Sequence, residues 1–155
     1  MNVQTRPVSS KGENPTPISG ILAGGNYGFP VDVRIQLENV GGPSAGMMFA
    51  LGIIDKLTVG ELNGGAVVAG TGTISGSGEV GPIGGIQQKL YGARHAGATW
   101  FLAPASNCDE VTGHIPSGLT VFSVKPLDDA LAALTAIESG SSTADLPSCP
   151  ARSIA

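Results

Sequence analysis

The sequence predicts an α+β fold, a mixed sheet packed with helices, and three observations carry that expectation. Val31, Val33, Ile35 and Leu37 alternate with Asp32, Arg34, Gln36 and Glu38, the period-two pattern of a half-buried strand. From Met47 to Leu57 apolar residues recur so densely at helical spacing that the segment reads as a mostly buried helix. Farther on, Thr99–Pro104 and Leu119–Val124 are short apolar runs that read as buried strands, each followed by a helical pattern.

In chain order, residues 1–30 are rich in proline and glycine, with turn signals at Asn14-Pro15 and Gly24-Gly25 and a candidate strand over Ile18–Leu22. They read as a lead-in segment or as edge strands. The domain proper is expected over residues 31–138. After the first strand and helix come a turn at Asn63-Gly64-Gly65 and a buried strand at Ala66–Ala69. Ser75–Glu79 reads as a hairpin-like turn leading to Val80 and Pro82. A helix opens after Gly84-Gly85, with Ile86, Leu90, Ala93 and Ala96 apolar and Gly97 as its stop. Ser106–Val111 suits a short helix. Leu127, Ala130, Leu131, Leu134 and Ile137 form the inner face of a last, amphipathic one. Residues 139–155 are a polar tail.

A chain of 155 residues with 41% hydrophobic and 13% charged residues is one domain in size and able to bury a core. A net charge of −4, with eight basic residues and no cluster among them, argues against nucleic acid or an anionic membrane surface as partner. The longest strongly apolar stretch, Met47–Ile54, falls far short of the roughly 20 residues of a membrane span. The first residues lack the apolar core of a signal peptide. No metal-ligand spacing occurs, so no metal or other cofactor is expected. Gly76–Gly81 has the form G-x-G-x-x-G but runs into Pro82 rather than a helix, which removes the dinucleotide reading. No phosphate-binding G-x-x-x-x-G-K-[ST] is present, so the chain carries no ATPase of its own.

Two cysteines bear on compartment. Cys149 lies in a Ser-rich tail that burial alone could not hold to the fold, so a disulfide to Cys108 is expected, which would imply an oxidising compartment. Two thiols left free in the cytosol are the alternative.

Ser44, in Gly42-Pro43-Ser44-Ala45-Gly46, stands between the first strand and the first helix. A serine there is ordinarily a helix N-cap. The same place also offers backbone N–H groups and the positive end of a helix dipole to a developing oxyanion, with Gly42, Pro43 and Ala45 shaping the loop. Lys89 follows Ile86 and precedes Leu90 and Ala93 at helical spacing, which sets it on the apolar face. Lysines so placed usually snorkel; a desolvated one can serve as a base, and serine–lysine pairs are a variant of the serine triad. Gly42–Gly46 also fits the G-x-S-x-G elbow of esterases, but the candidate partners Asp109, Glu110 and His114 crowd within six residues.

Taken together, the segments resemble the proteolytic domain of the Lon protease family, from about Val31 to Leu134 and in the family's order. Gly42–Gly46 matches the motif of the nucleophile, Thr71-Gly72 the strand after the first helix, and Gly81–Leu90 the segment supplying the lysine. The resemblance implies Ser44 as nucleophile, Lys89 as general base and Thr71 as a hydroxyl bonded near the amine. It departs at Gly41, where an acidic residue is common. More narrowly, Glu38–Ser44 and the chain beyond residue 100 look like the ATPase-free, membrane-anchored Lon-like proteases of bacteria. That likeness implies an ATP-independent endopeptidase acting on loose polypeptides, a homo-oligomer such as a hexamer, and an extracytoplasmic home, with a cytoplasmic one as alternative. It also implies a membrane anchor and a PDZ domain ahead of this one, the present chain then being an excised domain. The rival readings are a catalytically silent assembly module and, less favoured, a small esterase.

Overall fold

The computed structural model describes residues 6–7, 17–18 and 42–150. The strand expected over Val31–Glu38, most of that over Ile18–Leu22, and Gly41 lie outside the described residues. The chain divides into two units, Met1–Val33 and Arg34–Ala155. In the first, β1 (Arg6–Pro7) pairs antiparallel with β2 (Pro17–Ile18).

In the second unit a parallel sheet carries β3 (Val68–Gly70), β6 (Trp100–Pro104) and β7 (Thr120–Val124), in the order β3-β6-β7. A short antiparallel hairpin joins β4 (Thr73–Ile74) to β5 (Val80–Gly81) around the Ser75–Glu79 turn. The helices are α1 (Gly46–Leu57), α2 (Ile86–His95), α3 (Cys108–Val111) and α4 (Leu127–Ser139). Parallel strands and an antiparallel hairpin packed with helices make this the mixed α+β arrangement that the sequence predicts.

The sheet separates two cores. Met47 and Leu51 of α1 and Ala130, Ala133 and Leu134 of α4 join Leu102, Phe122 and Val124 in one. Ile86 and Leu90 of α2 and Val111 of α3 join Phe101, Ala103 and Val121 in the other. Neighbouring residues of β6 and β7 thus serve opposite cores, as strand pleating requires. A central strand covered on both faces has no polar side, which is why Phe101–Pro104 is buried throughout and shows no alternation.

Some expectations need correction. α1 buries only Met47 and Leu51, while Phe49, Ala50, Ile53 and Ile54 are half-buried and Leu57 is 61% exposed. Among the described residues Met47 and Leu51, with the half-buried Met48 beside them, are what this helix gives to the core, so a dense apolar run overstated its burial. The strand expected as buried over Ala66–Ala69 forms later, as β3, and is half-buried because β6 is its one partner among the described strands. In α4, Ala133 is a buried residue that the pattern did not select, whereas Leu127, Leu131 and Ile137 are half-buried.

The polar tail folds back along β7. Ser123 N–H donates to Pro147 O at 2.9 Å and Cys149 N–H to Val121 O at 3.2 Å, with an antiparallel bridge between Phe122 and Ser148. Cys149 is buried and forms a disulfide with Cys108, their Cα atoms 5.0 Å apart.

Candidate active site

Ser44 lies in a one-turn 3-10 helix, Pro43–Ala45, that leads directly into α1. Gly42 precedes it at φ 89°, a conformation that favours glycine. Gly42 and Ala45, not Ser44, occupy the two N-cap positions, and neither turn uses a side-chain cap. The ordinary reading of Ser44 as an N-cap is therefore not what its surroundings show.

The turn is held by the segment after β3. Gly72 N–H donates to Ser44 O at 2.8 Å, and Met47 N–H donates back to Gly72 O at 3.0 Å. A side chain at Gly72 would bring its Cβ within 2.7 Å of Val80 Cγ1, and one at Gly70 within 2.6 Å of Met48 Sδ. These close approaches let Thr71, between the two glycines, reach the serine turn. Thr71 is 4% exposed, and its N–H donates to Leu102 O at 3.1 Å.

Thr71 joins the two candidate catalytic residues. Its hydroxyl donates to Ser44 O at 2.8 Å, and Lys89 Nζ donates to its Oγ1 at 3.4 Å. A hydroxyl has one hydrogen, already committed to Ser44 O, so toward Lys89 it can only accept. Lys89 is half-buried, one turn into α2, on the side that also carries Ile86 and Leu90. Ser44, Ala45, Thr71, Lys89, Ala93 and Phe101 are among the residues lining an open, mostly apolar cleft of about 330 Å³. Among the described residues no hydrogen bond joins Ser44 Oγ to the amine directly; the connection runs through Thr71.

The N-terminal end of α1 offers fewer free donors than the sequence suggests. Gly46 N–H is taken by Pro43 O and Met47 N–H by Gly72 O. The esterase constellation does not assemble: Asp109, Glu110, His95 and His114 are exposed and none lines the cleft beside Ser44. Among the described residues no cluster of His, Cys, Asp or Glu could hold a metal. No described helix is long and apolar enough to cross a membrane.

One polar residue that the sequence pattern does not single out matters here. Asn107 is 1% exposed and bonds the backbone of Ile83, in the loop that launches α2. It falls inside the helix expected over Ser106–Val111, and nothing in that local pattern points to a long-range bond.

Residues 38–136 match the profile of the Lon protease (S16) C-terminal proteolytic domain. The chain is similar to Lon protease 2 of Herpetosiphon aurantiacus, 37% identical over 108 residues, which cover 65% of this chain and 13% of that protein. It is similar to Lon protease 1 of Sorangium cellulosum, 38% identical over 59% of this chain and 11% of the relative. Lon protease 1 of Bacillus subtilis is 38% identical over 58% of this chain and 12% of its own length. The matched part is thus a small fraction of each relative, the fraction that the family profile describes.

Proposed function

Because the chain belongs to the family of Lon protease (S16) C-terminal proteolytic domains, we propose that it is a serine endopeptidase working through Ser44 and Lys89. The observation that carries the reading is the chain of contacts from Lys89 Nζ through Thr71 Oγ1 to the Ser44 turn, in one cleft. The Lys89 amine takes the Ser44 proton as Ser44 Oγ attacks the peptide carbonyl, and gives it to the departing nitrogen as the C–N bond breaks; water then hydrolyses the acyl-Ser44 ester and restores the serine. Thr71 accepts one N–H of that amine, which leaves the nitrogen lone pair to be turned toward Ser44. The oxyanion falls at the positive end of α1, where the Ser44 N–H is the candidate donor, those of Gly46 and Met47 being committed.

The finer reading concerns the protein to which this domain belongs. Turnover is proposed to be independent of ATP, a reading that rests on the likeness of Glu38–Ser44 and of the chain beyond residue 100 to ATPase-free Lon-like proteases. The substrates are unfolded or loosely folded polypeptides, and the working form is a homo-oligomer, with a hexamer proposed. A membrane anchor and a PDZ domain are proposed to accompany this domain on the extracytoplasmic face of a bacterial cell membrane, a setting that the Cys108–Cys149 bond supports.

A fluorophosphonate probe, together with cleavage of an unfolded protein without nucleotide, tests the reading. Wild type is expected to be labelled and to cleave, and Ser44→Ala to do neither. Equal labelling of the two proteins refutes the nucleophile. A wild type that is neither labelled nor active leaves the silent assembly module as the better account.

A further inference from the structure

Asn107 is placed where an asparagine normally caps a helix, yet its side chain makes no capping bond to α3. It reaches instead across 24 residues of sequence: Oδ1 accepts from Ile83 N–H at 3.0 Å, and Nδ2 donates to Ile83 O at 3.0 Å. The second hydrogen of Nδ2 goes to Glu110 Oε1 at 2.8 Å. The amide therefore pairs with both backbone groups of one residue, as a neighbouring strand would. The side chain is thus given over to fixing Ile83 and not to capping α3.

That position matters because α2 departs from it. After Ile83 come Gly84 and Gly85, the latter at φ 68°, and then the helix begins. Two glycines in a row cannot by themselves set the direction in which a helix departs. A second tie lies just inside α2, where Gln87 Nε2 donates to Glu110 O at 3.1 Å. Ile86 and Val111, both fully buried, meet in the same core. Lys89 is one turn past Ile86, and its 3.4 Å approach to Thr71 depends on where α2 starts.

We propose that Asn107 is a positioning residue for Lys89, seating α2 through Ile83 so that the amine meets Thr71 and faces Ser44. The inference rests on the Ser44–Lys89 reading. A group held about 1 Å out of place can cost about 100-fold in rate, which sets the scale of the effect.

The test uses the 155-residue chain with an unfolded polypeptide substrate and a fluorophosphonate probe, well below each variant's melting temperature. Asn107→Ala is expected to lower kcat and the acylation rate by about 10- to 100-fold, with KM within about threefold. Asn107→Asp, nearly the same shape, keeps an acceptor for Ile83 N–H but loses the donors to Ile83 O and to Glu110 Oε1 and sets a carboxylate against the latter, so kcat should fall here too. Leu131→Ala, in the core on the other face of the sheet, should lower Tm and leave kcat unchanged. Wild-type kcat in a folded Asn107→Ala overturns the proposal, and if that variant does not fold, wild-type kcat in Asn107→Asp does so. An active wild type beside an active Asn107 variant overturns this inference alone. A wild type that neither cleaves nor acylates overturns the dyad and the inference together.

Discussion

Ser44 is fixed by bonds to its own main chain, whereas Lys89 is carried on a helix whose seat depends on side chains. Around Ser44, Gly72 gives and receives a backbone hydrogen bond, and Thr71 adds a third bond to the Ser44 carbonyl. Replacing the Ser44 side chain leaves every one of these in place. Around Lys89, the amine makes one hydrogen bond among the described residues, at 3.4 Å, and α2 is tied at its start by Asn107 and Gln87. The candidate nucleophile is therefore built into the backbone, while the candidate base is held by groups that substitution can remove one at a time.

The largest effect should come from the side that is fixed. Ser44→Ala is expected to lower turnover of an unfolded substrate by at least about 10⁴-fold, with Tm nearly unchanged because the main-chain bonds survive. A large fall in Tm would show that the side chain holds the turn. Next comes the base: Lys89→Ala should cost about 10³-fold or more, and Lys89→Arg as much, because a guanidinium does not deprotonate at working pH. Steady-state kinetics that find Lys89→Arg far more active than Lys89→Ala would point to a cation rather than a base.

Thr71 lies on the boundary between the two sides and sharpens the contrast. Thr71→Val removes both its bonds, at about tenfold in kcat for the lost contact to the amine, while Thr71→Ser should keep most of the rate. Equal losses in the two would assign the effect to packing. The smallest effect on turnover is expected from the disulfide. Reduction, or Cys149→Ser, should leave kcat within about twofold while denaturant unfolding shows a loss of up to about 4 kcal/mol. Unchanged stability would mean that the tail holds to β7 without the crosslink.

The sequence discloses the site more readily than its supports. Ser44, Thr71 and Lys89 stand in short glycine-bounded motifs whose residue types have a local meaning, and the structure brings all three to one cleft. Helices α2 and α4 begin and end near where their spacing predicts, because Gly85, Gly97 and Gly140 take the positive φ values that stop or start a helix. What stays hidden is any contact that one side chain makes to a distant backbone. Asn107 passes unmarked inside the helix expected over Ser106–Val111, because its long-range partner, Ile83, contributes only main-chain atoms and leaves no mark on the sequence. The pairing of Pro147–Cys149 with β7 is equally silent, since a segment with Pro147 and Ser148 has no strand pattern, and only Cys149 hints that it is held.

That tail segment decides where the chain can be cut. β7 would otherwise present a row of unpaired N–H and C=O groups, a template on which another chain can add a strand. A version shortened to end at Ser139 keeps every catalytic candidate and all of α4, yet it uncovers that edge and leaves Cys108 as a lone thiol beside Asn107. Such a version would be prone to self-association through β7 and to mixed disulfides. The boundary of the folding unit therefore lies beyond Cys149, well past the last helix, and a fusion or tag belongs after it.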